Sequence, residues 1–238
     1  MHTDTPHSPG APSITSARRS IREAIRAIDS RWRTAPSDLS PGDVRDRLIE
    51  PLVTCAGRVA EPGALAHMHG VGTIAEAIAL AAGWTQEDAG ELRIHAALHD
   101  IGKLGISGVI LTKPGPLTSR ERQTVERHSA IGRRLLAGAA APLLQVAARV
   151  AGEHHECWDG SGYPGGLAGD SIHPFARVVA IADVFDALTS ARPYRGPLSE
   201  KAAFQIMERG RGTQFDPVLF DAFASVHFAG EPACEAAA

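Results

Sequence analysis

The chain has 238 residues, of which 44% are hydrophobic and 21% are charged, so it can bury a real core and lacks the composition of a disordered protein. Its formal net charge is −3 with no basic stripe to offset it, which argues against binding to long nucleic acid. The three cysteines are odd in number and lack CxxC spacing, the N-terminus is polar, and no apolar run reaches 18 residues. We therefore expect a cytoplasmic protein without a disulfide framework, a secretion signal or a membrane span.

Helical periodicity dominates the pattern of elements. Residues 1–13 are rich in Pro, Ser, Thr and Gly and predict a disordered tail, and residues 229–238 predict a flexible C-terminal tail. Apolar spacing predicts helices over residues 14–33, 43–59, 64–82, 86–99, 119–136, 142–155, 174–189, 199–209 and 217–226, with loops at 101–117 and 157–173. No alternating segment is long enough to predict a strand. The predicted class is all-α, with an N-terminal helical segment at 14–60 and a main domain at 61–228.

Histidine and aspartate cluster at the ends of the predicted helices. The members are His67, the pair His99–Asp100, His128, the pair His154–His155, and Asp183. Imidazole and carboxylate groups bind borderline and hard divalent metals. An Asp directly after a helix-terminal His can face the same point and bridge two ions. One such residue alone is usually an ordinary core or surface residue, but the occurrence of all of them together indicates a metal site. Seven ligands suit two ions whose coordination shells are completed by water.

Two motifs give the chain a family resemblance. The run from His99 to Lys103 resembles the signature of the HD-domain phosphohydrolases. The run from His154 to Pro164 (HHECWDGSGYP) resembles the HHExxDGxGYP motif of the HD-GYP subfamily, and residues 182–195 resemble a later block of that subfamily. The resemblance covers about residues 64–223. It implies a helical HD-domain bundle with a long Gly/Pro-rich loop that carries the GYP sequence.

The resemblance also implies an activity. It points to a phosphodiesterase of bacterial second-messenger signalling that hydrolyses cyclic di-GMP to linear pGpG through a hydroxide that bridges the metals, with further conversion to GMP left open. The implied cofactors are two divalent ions per chain, with iron or manganese favoured. The implied metal ligands are His67, His99, Asp100, His128, His154, His155 and Asp183, with Asp100 as the bridge. Asp100 and Lys103 are the implied catalytic residues.

The same resemblance implies the substrate contacts. Lys103, Arg192 and Arg195 are expected to bind phosphate, since ammonium and guanidinium groups suit that role. Gly162, Tyr163 and Pro164 are expected to border the substrate, with glycine permitting close backbone approach. These six positions complete the predicted site.

One departure and several alternatives stay open. Gly63 stands where some members carry a Glu that supports a third metal, so we predict a two-metal site. The chain is alternatively a catalytically weak HD-GYP protein that binds cyclic dinucleotides or signalling proteins, or an HD hydrolase for another nucleotide. Residues 14–60 either pack on the domain or pair with a second copy in a homodimer. Asp186, Glu156 and His95 are expected to support the site rather than to bind metal.

Overall fold

A computed structural model describes residues 14–34, 49–59, 63–191 and 196–227. Within these ranges the chain forms ten α-helices and no β-strand, which confirms the all-α class. The helices are α1 (Ile14–Thr34), α2 (Glu50–Val59), α3 (Ala64–Ala81), α4 (Gln86–Ala96), α5 (Gly108–Leu111), α6 (Ser119–Leu136), α7 (Pro142–Glu153), α8 (Pro174–Thr189), α9 (Glu200–Glu208) and α10 (Pro217–His227). Two 3-10 segments lie at Ile101–Gly105 and Gly169–Ser171. The two predicted tails and the predicted start of the second helix lie outside the described residues.

Local capping signals fix where several helices begin. The Thr85 side chain accepts a hydrogen bond from the Asp88 backbone N–H at 3.1 Å, which satisfies an unpaired donor at the start of α4. Thr118 and Glu121 form a reciprocal capping box at the start of α6. Pro174 opens α8, where a missing N–H costs nothing. These starts agree with the sequence predictions.

The predicted helix ends and one predicted loop need correction. α4 ends at Ala96 instead of residue 99, because the next turns tighten to 3-10 spacing: the N–H groups of Leu98 and His99 donate to the carbonyls of His95 and Ala96. α7 likewise ends at Glu153, two residues before the predicted end. The predicted loop at 101–117 contains the first 3-10 segment and α5.

The described core consists of two clusters of buried apolar side chains. One gathers residues of α1 and α2, and the other gathers residues of α8, α9 and α10, while α3, α4 and α7 contribute to both. Ile21, Ile25 and Ile28 of α1 belong to the first cluster, so α1 packs on the domain. The Asp29 carboxylate also accepts from the backbone N–H groups of Ala140 and Ala141, at 3.0 and 3.1 Å, where negative charge is favourable at the start of α7.

Among the described helices, α3 alone is long and apolar enough to cross a membrane by length and composition, with a mean hydropathy of 1.2. It also packs within the domain, where Val71, Ala75 and Ile78 are fully buried. Core helices of folded domains meet the same criterion, so this feature gives little support to a membrane span.

Gly102 brings the first 3-10 segment directly onto α6. A Cβ atom at Gly102 would lie 1.9 Å from the carbonyl oxygen of His128 and 2.5 Å from the backbone nitrogen of Gly132. Such distances are far inside van der Waals contact, so only glycine fits. This close approach holds the segment that follows Asp100 against the helix that carries His128.

Gly102→Ala should therefore lower the free energy of unfolding by about 3 kcal/mol, at the upper end of overpacking costs, because backbone and not a flexible side chain blocks the new methyl group. Gly108→Ala is the matched control, since a Cβ there has no neighbour within 4 Å. Denaturant unfolding compares the two variants. Equal stability of both would contradict the packing argument.

Candidate metal centre

The seven predicted ligands come together in one pocket, although they lie on different elements. They are His67 in the first turns of α3, His99 and Asp100 after α4, His128 in α6, His154 and His155 after α7, and Asp183 in α8. In three overlapping groups, one ligand atom from each residue lies within 4.8 Å of the others. These groups are His67 with His99 and Asp100, His99 with His154 and Asp183, and His128 with His154 and His155.

Asp100 lies at the centre of this arrangement, and its two oxygens face different histidines. Oδ2 lies 3.3 Å from His99 Nε2 and 3.7 Å from His67 Nε2. Oδ1 lies 3.4 Å from His128 Nε2. A carboxylate whose oxygens point at two separate sets of imidazoles has the geometry to join two cation sites.

The backbone orients three of the histidines toward the pocket. The Nδ1 atoms of His99 and His128 each lie 2.7 Å from a carbonyl oxygen three residues earlier, and His154 Nδ1 lies 3.1 Å from the corresponding oxygen. With Nδ1 donating, each Nε2 presents a lone pair toward the pocket, where the Nε2 atoms of His128 and His154 lie 3.2 Å apart. His99 Nε2 is buried without a hydrogen-bond partner, which suits a nitrogen that binds a cation.

His67 is held by two carboxylates of α8. Its Nε2 lies 3.2 Å from Asp183 Oδ1, and its Nδ1 lies 2.6 Å from Asp186 Oδ2. Burial alone would lower the pKa of His67, but the hydrogen bonds with Asp183 and Asp186 outweigh it and raise the pKa to about 9. Without metal, His67 therefore carries a proton at neutral pH and neutralises part of the acidic charge.

Four other groups of the pocket are already in the protonation state that a metal needs. Burial lowers the pKa of His128, and burial together with the neighbouring imidazoles lowers that of His154 well below its usual range. Burial lowers the pKa of His155 to about 4. Burial would raise the pKa of the Asp100 carboxyl, but the charge of Lys103 and contact with His99 hold it well below its usual range. At neutral pH the pocket thus offers neutral imidazoles at His128, His154 and His155 and an ionised carboxylate at Asp100, whereas His67 still carries its proton.

Of the predicted phosphate-binding cations, the structure describes one. Lys103 Nζ lies 2.7 Å from Asp100 Oδ2, at the edge of the ligand cluster, and the side chain is 15% exposed. Arg192 and Arg195 lie outside the described residues. An anionic ligand at the cluster would therefore meet at least this one ammonium group.

The GYP loop borders the same cluster through Tyr163. Its ring lies 4.9 Å from the His155 ring, and burial raises the pKa of its hydroxyl well above the usual range. Pro164 follows through a cis peptide bond and is exposed. The Glu156 carboxylate is buried and accepts from the N–H groups of Gly165 and Leu167, so it holds this loop as expected.

Gly162 has a close internal contact within the loop. A Cβ atom there would lie 2.3 Å from the Cys157 nitrogen and 2.5 Å from the His155 carbonyl oxygen. The missing side chain therefore lets the loop fold against its own backbone beside His155. The expected place of Gly162 beside a substrate stays a prediction.

Two other aromatic groups near the motifs serve packing. His95 is fully buried, and its ring lies 5.6 Å from that of Phe175, so it is a core residue as expected. Trp158 lies under the Arg177 guanidinium, 5.4 Å from the ring centroid.

The sequence did not reveal the contact between His67 and Asp186, although the i, i+3 spacing of Asp183 and Asp186 in α8 was a usable signal.

Comparison with known proteins agrees with this geometry. The family model described as HD domain matches residues 48–219. The chain is 40% identical over 185 residues to the cyclic di-GMP phosphodiesterase response regulator RpfG of Xanthomonas campestris pv. campestris, covering 77% of this chain and 49% of that protein. It is 39% identical over 180 residues to the 3'3'-cGAMP-specific phosphodiesterase 3 of Vibrio cholerae, covering 74% of this chain and 39% of that protein.

A solved structure shares the fold. Bd1817, a HDG"Y"P protein from Bdellovibrio bacteriovorus, matches with a TM-score of 0.56 at 16% identity, covering 90% of this chain and 72% of that chain. The chain belongs to the HD domain family, and its HD-GYP resemblance is confirmed. It spans about half or less of the length of the two curated relatives.

The proton on His67 leads us to expect that metal affinity depends on pH. Because a metal must displace that proton, manganese affinity of the metal-free protein should fall as pH drops below about 9, by about tenfold per pH unit. His128, His154 and His155 have lowered pKa values and contribute no such proton near neutrality. Calorimetric titrations at pH 7 and pH 8, each in two buffers of different ionisation enthalpy, measure both affinity and proton release. Binding without proton release at pH 7 would contradict the assignment.

Proposed function

We propose that this chain is a metal-dependent phosphodiesterase that hydrolyses cyclic di-GMP to linear pGpG, with GMP as a further product where a second cut follows. The observation that carries the proposal is the Asp100 carboxylate, whose two oxygens face separate imidazole groups. The printed names of the two curated relatives, both cyclic-dinucleotide phosphodiesterases, support the reaction class.

The residues present suit two divalent ions, for which we propose iron or manganese. One ion would be held by His67, His99, Asp100 and Asp183, and the other by Asp100, His128, His154 and His155. Mixed imidazole and carboxylate ligands suit these metals. The buried Nε2 of His99 has no hydrogen-bond partner and could therefore bind a cation. When bound, such a pair supplies Lewis-acid activation of water and neutralises charge on a phosphoryl group.

The side chains of the chain itself supply orientation and charge. The Lys103 ammonium, beside Asp100, would bind a phosphate oxygen and stabilise the charge that develops there. Arg192 and Arg195 are proposed to grip phosphate as well, through bidentate hydrogen bonds. Tyr163 would form a wall of the substrate site beside His155.

A second candidate substrate is 3'3'-cGAMP. The relative from Vibrio cholerae carries that specificity in its name. The proposed contacts of this chain are made to phosphate, and phosphate contacts do not read the base. Base preference must therefore come from other surfaces of the site.

The decisive assay is turnover by purified protein loaded anaerobically with Fe²⁺ or with Mn²⁺. Cyclic di-GMP and 3'3'-cGAMP are supplied in parallel, and linear products are separated by chromatography. We expect linear pGpG from cyclic di-GMP. Tight binding of cyclic di-GMP without turnover, under every metal, would favour the alternative of a binding or interaction module.

Two substitutions separate metal binding from charge stabilisation. Asp100→Ala should abolish turnover and reduce bound metal, because the shared ligand is lost. Lys103→Ala should keep metal content while lowering kcat by about 100-fold, as for loss of one charge-stabilising donor.

Lys113→Ala is the control for removal of a lysine, since Lys113 pairs with Glu121 at the start of α6. Metal content by mass spectrometry and steady-state kinetics are measured on all three variants. Full metal content in Asp100→Ala would refute the bridging role of Asp100.

A further inference from the structure

The ring of His67 is oriented differently from the rings of three other histidines in the ligand cluster. His99, His128 and His154 direct Nδ1 to backbone carbonyls of their own helices or turns. His67 directs Nδ1 to the carboxylate of Asp186, on another helix. A carboxylate acceptor fixes the ring and also makes the imidazole a more basic ligand than a carbonyl acceptor does.

Asp183 and Asp186 hold the His67 ring from opposite edges. They lie three residues apart in α8 and so share one helix face. Asp183 Oδ1 lies near Nε2, on the side of the proposed metals, while Asp186 Oδ2 lies near Nδ1. The Asp186 side chain is almost buried, which shields this hydrogen bond from water.

Gly70 provides the room for the Asp186 carboxylate. It lies three residues after His67 in α3, and a Cβ atom there would lie 2.5 Å from Asp186 Oδ1. An alanine at this position would displace the end of the carboxylate, which is a flexible group, without disturbing backbone. Gly70 and Asp186 therefore act on the His67 ring together.

We propose that Asp186 is a positioning residue that sets the affinity of the ion held by His67, His99 and Asp183, and that Gly70 keeps its carboxylate in place. His128 and His154, which would hold the other ion, are oriented by backbone carbonyls, so the affinity for that ion should not change. The inference rests on the proposed pair of ions. It assigns to one carboxylate a role in the affinity of one of the two ions.

The test titrates Mn²⁺ into the metal-free full chain and counts bound ions by equilibrium dialysis with elemental analysis. Asp186→Ala should weaken one of the two binding steps by about 10- to 100-fold and leave the other within about threefold of wild type. Asp186→Asn should recover most of that loss, because the amide oxygen can still accept from Nδ1. At an Mn²⁺ concentration that just fills both sites of wild type, the electron paramagnetic resonance spectrum should change from that of a coupled pair in wild type to that of a single ion in Asp186→Ala.

Gly70→Ala gives a second, milder route to the same effect. It should weaken the same binding step by at least about threefold while keeping the helix, since alanine favours helix more than glycine does. Gly90→Ala in α4 is the matched control, because a Cβ there meets nothing within 4 Å. Its two binding steps should equal those of wild type.

The outcomes distinguish this inference from the proposed function. Wild-type protein that binds fewer than two ions, or that never turns over, refutes the proposed function. If wild type binds two ions and both Asp186→Ala and Gly70→Ala bind them equally well, the role of Asp186 is refuted and the proposed function is not. Equal weakening of both binding steps also refutes it, since the role is specific to one site. Should Asp186→Ala fail to fold, Gly70→Ala decides the question.

Discussion

The site depends on one buried carboxylate that lies between two sets of imidazoles. Ionised Asp100 is 9% exposed, and a buried charge is costly unless cations or donors surround it. Lys103 and the protonated His67 supply positive charge in the metal-free protein, and divalent ions suit the same place. The surrounding helices can therefore converge here only because the charges compensate one another.

Helix ends bring the ligands close enough for that compensation. His99 and His154 lie just after α4 and α7, where carbonyls of the last helical turn accept from their Nδ1 atoms. Gly102 then lets the turn after Asp100 rest on the backbone of α6, which sets the distance between Asp100 and His128. Backbone hydrogen bonding and close packing thus prepare the rings before any ion arrives.

Residue type and order were enough to predict which side chains the fold brings together, and the helical class; their role as metal ligands stays a prediction. Imidazole and carboxylate groups at helix ends restrict the chemistry, and the structure gathers all seven of those side chains. The 3-10 turns after α4 were missed because they depend on how Gly102 packs against α6. The contact between His67 and Asp186 was missed for a similar reason, since it requires knowing that α3 and α8 adjoin. Arg192 and Arg195 stay predictions, because they lie outside the described residues.

Gly63, for which the family resemblance offered a third-metal Glu as the alternative residue, serves the backbone. Its φ of 87° lies in the left-handed region, which costs a side-chain-bearing residue roughly 1–2 kcal/mol. A Cβ there would meet no atom within 4 Å, so backbone conformation, and not crowding, is what favours glycine. The Gly63 carbonyl accepts from the His67 N–H at 3.0 Å and so begins α3. The glycine that removes a possible third-metal ligand thereby helps to set the helical turn that carries His67.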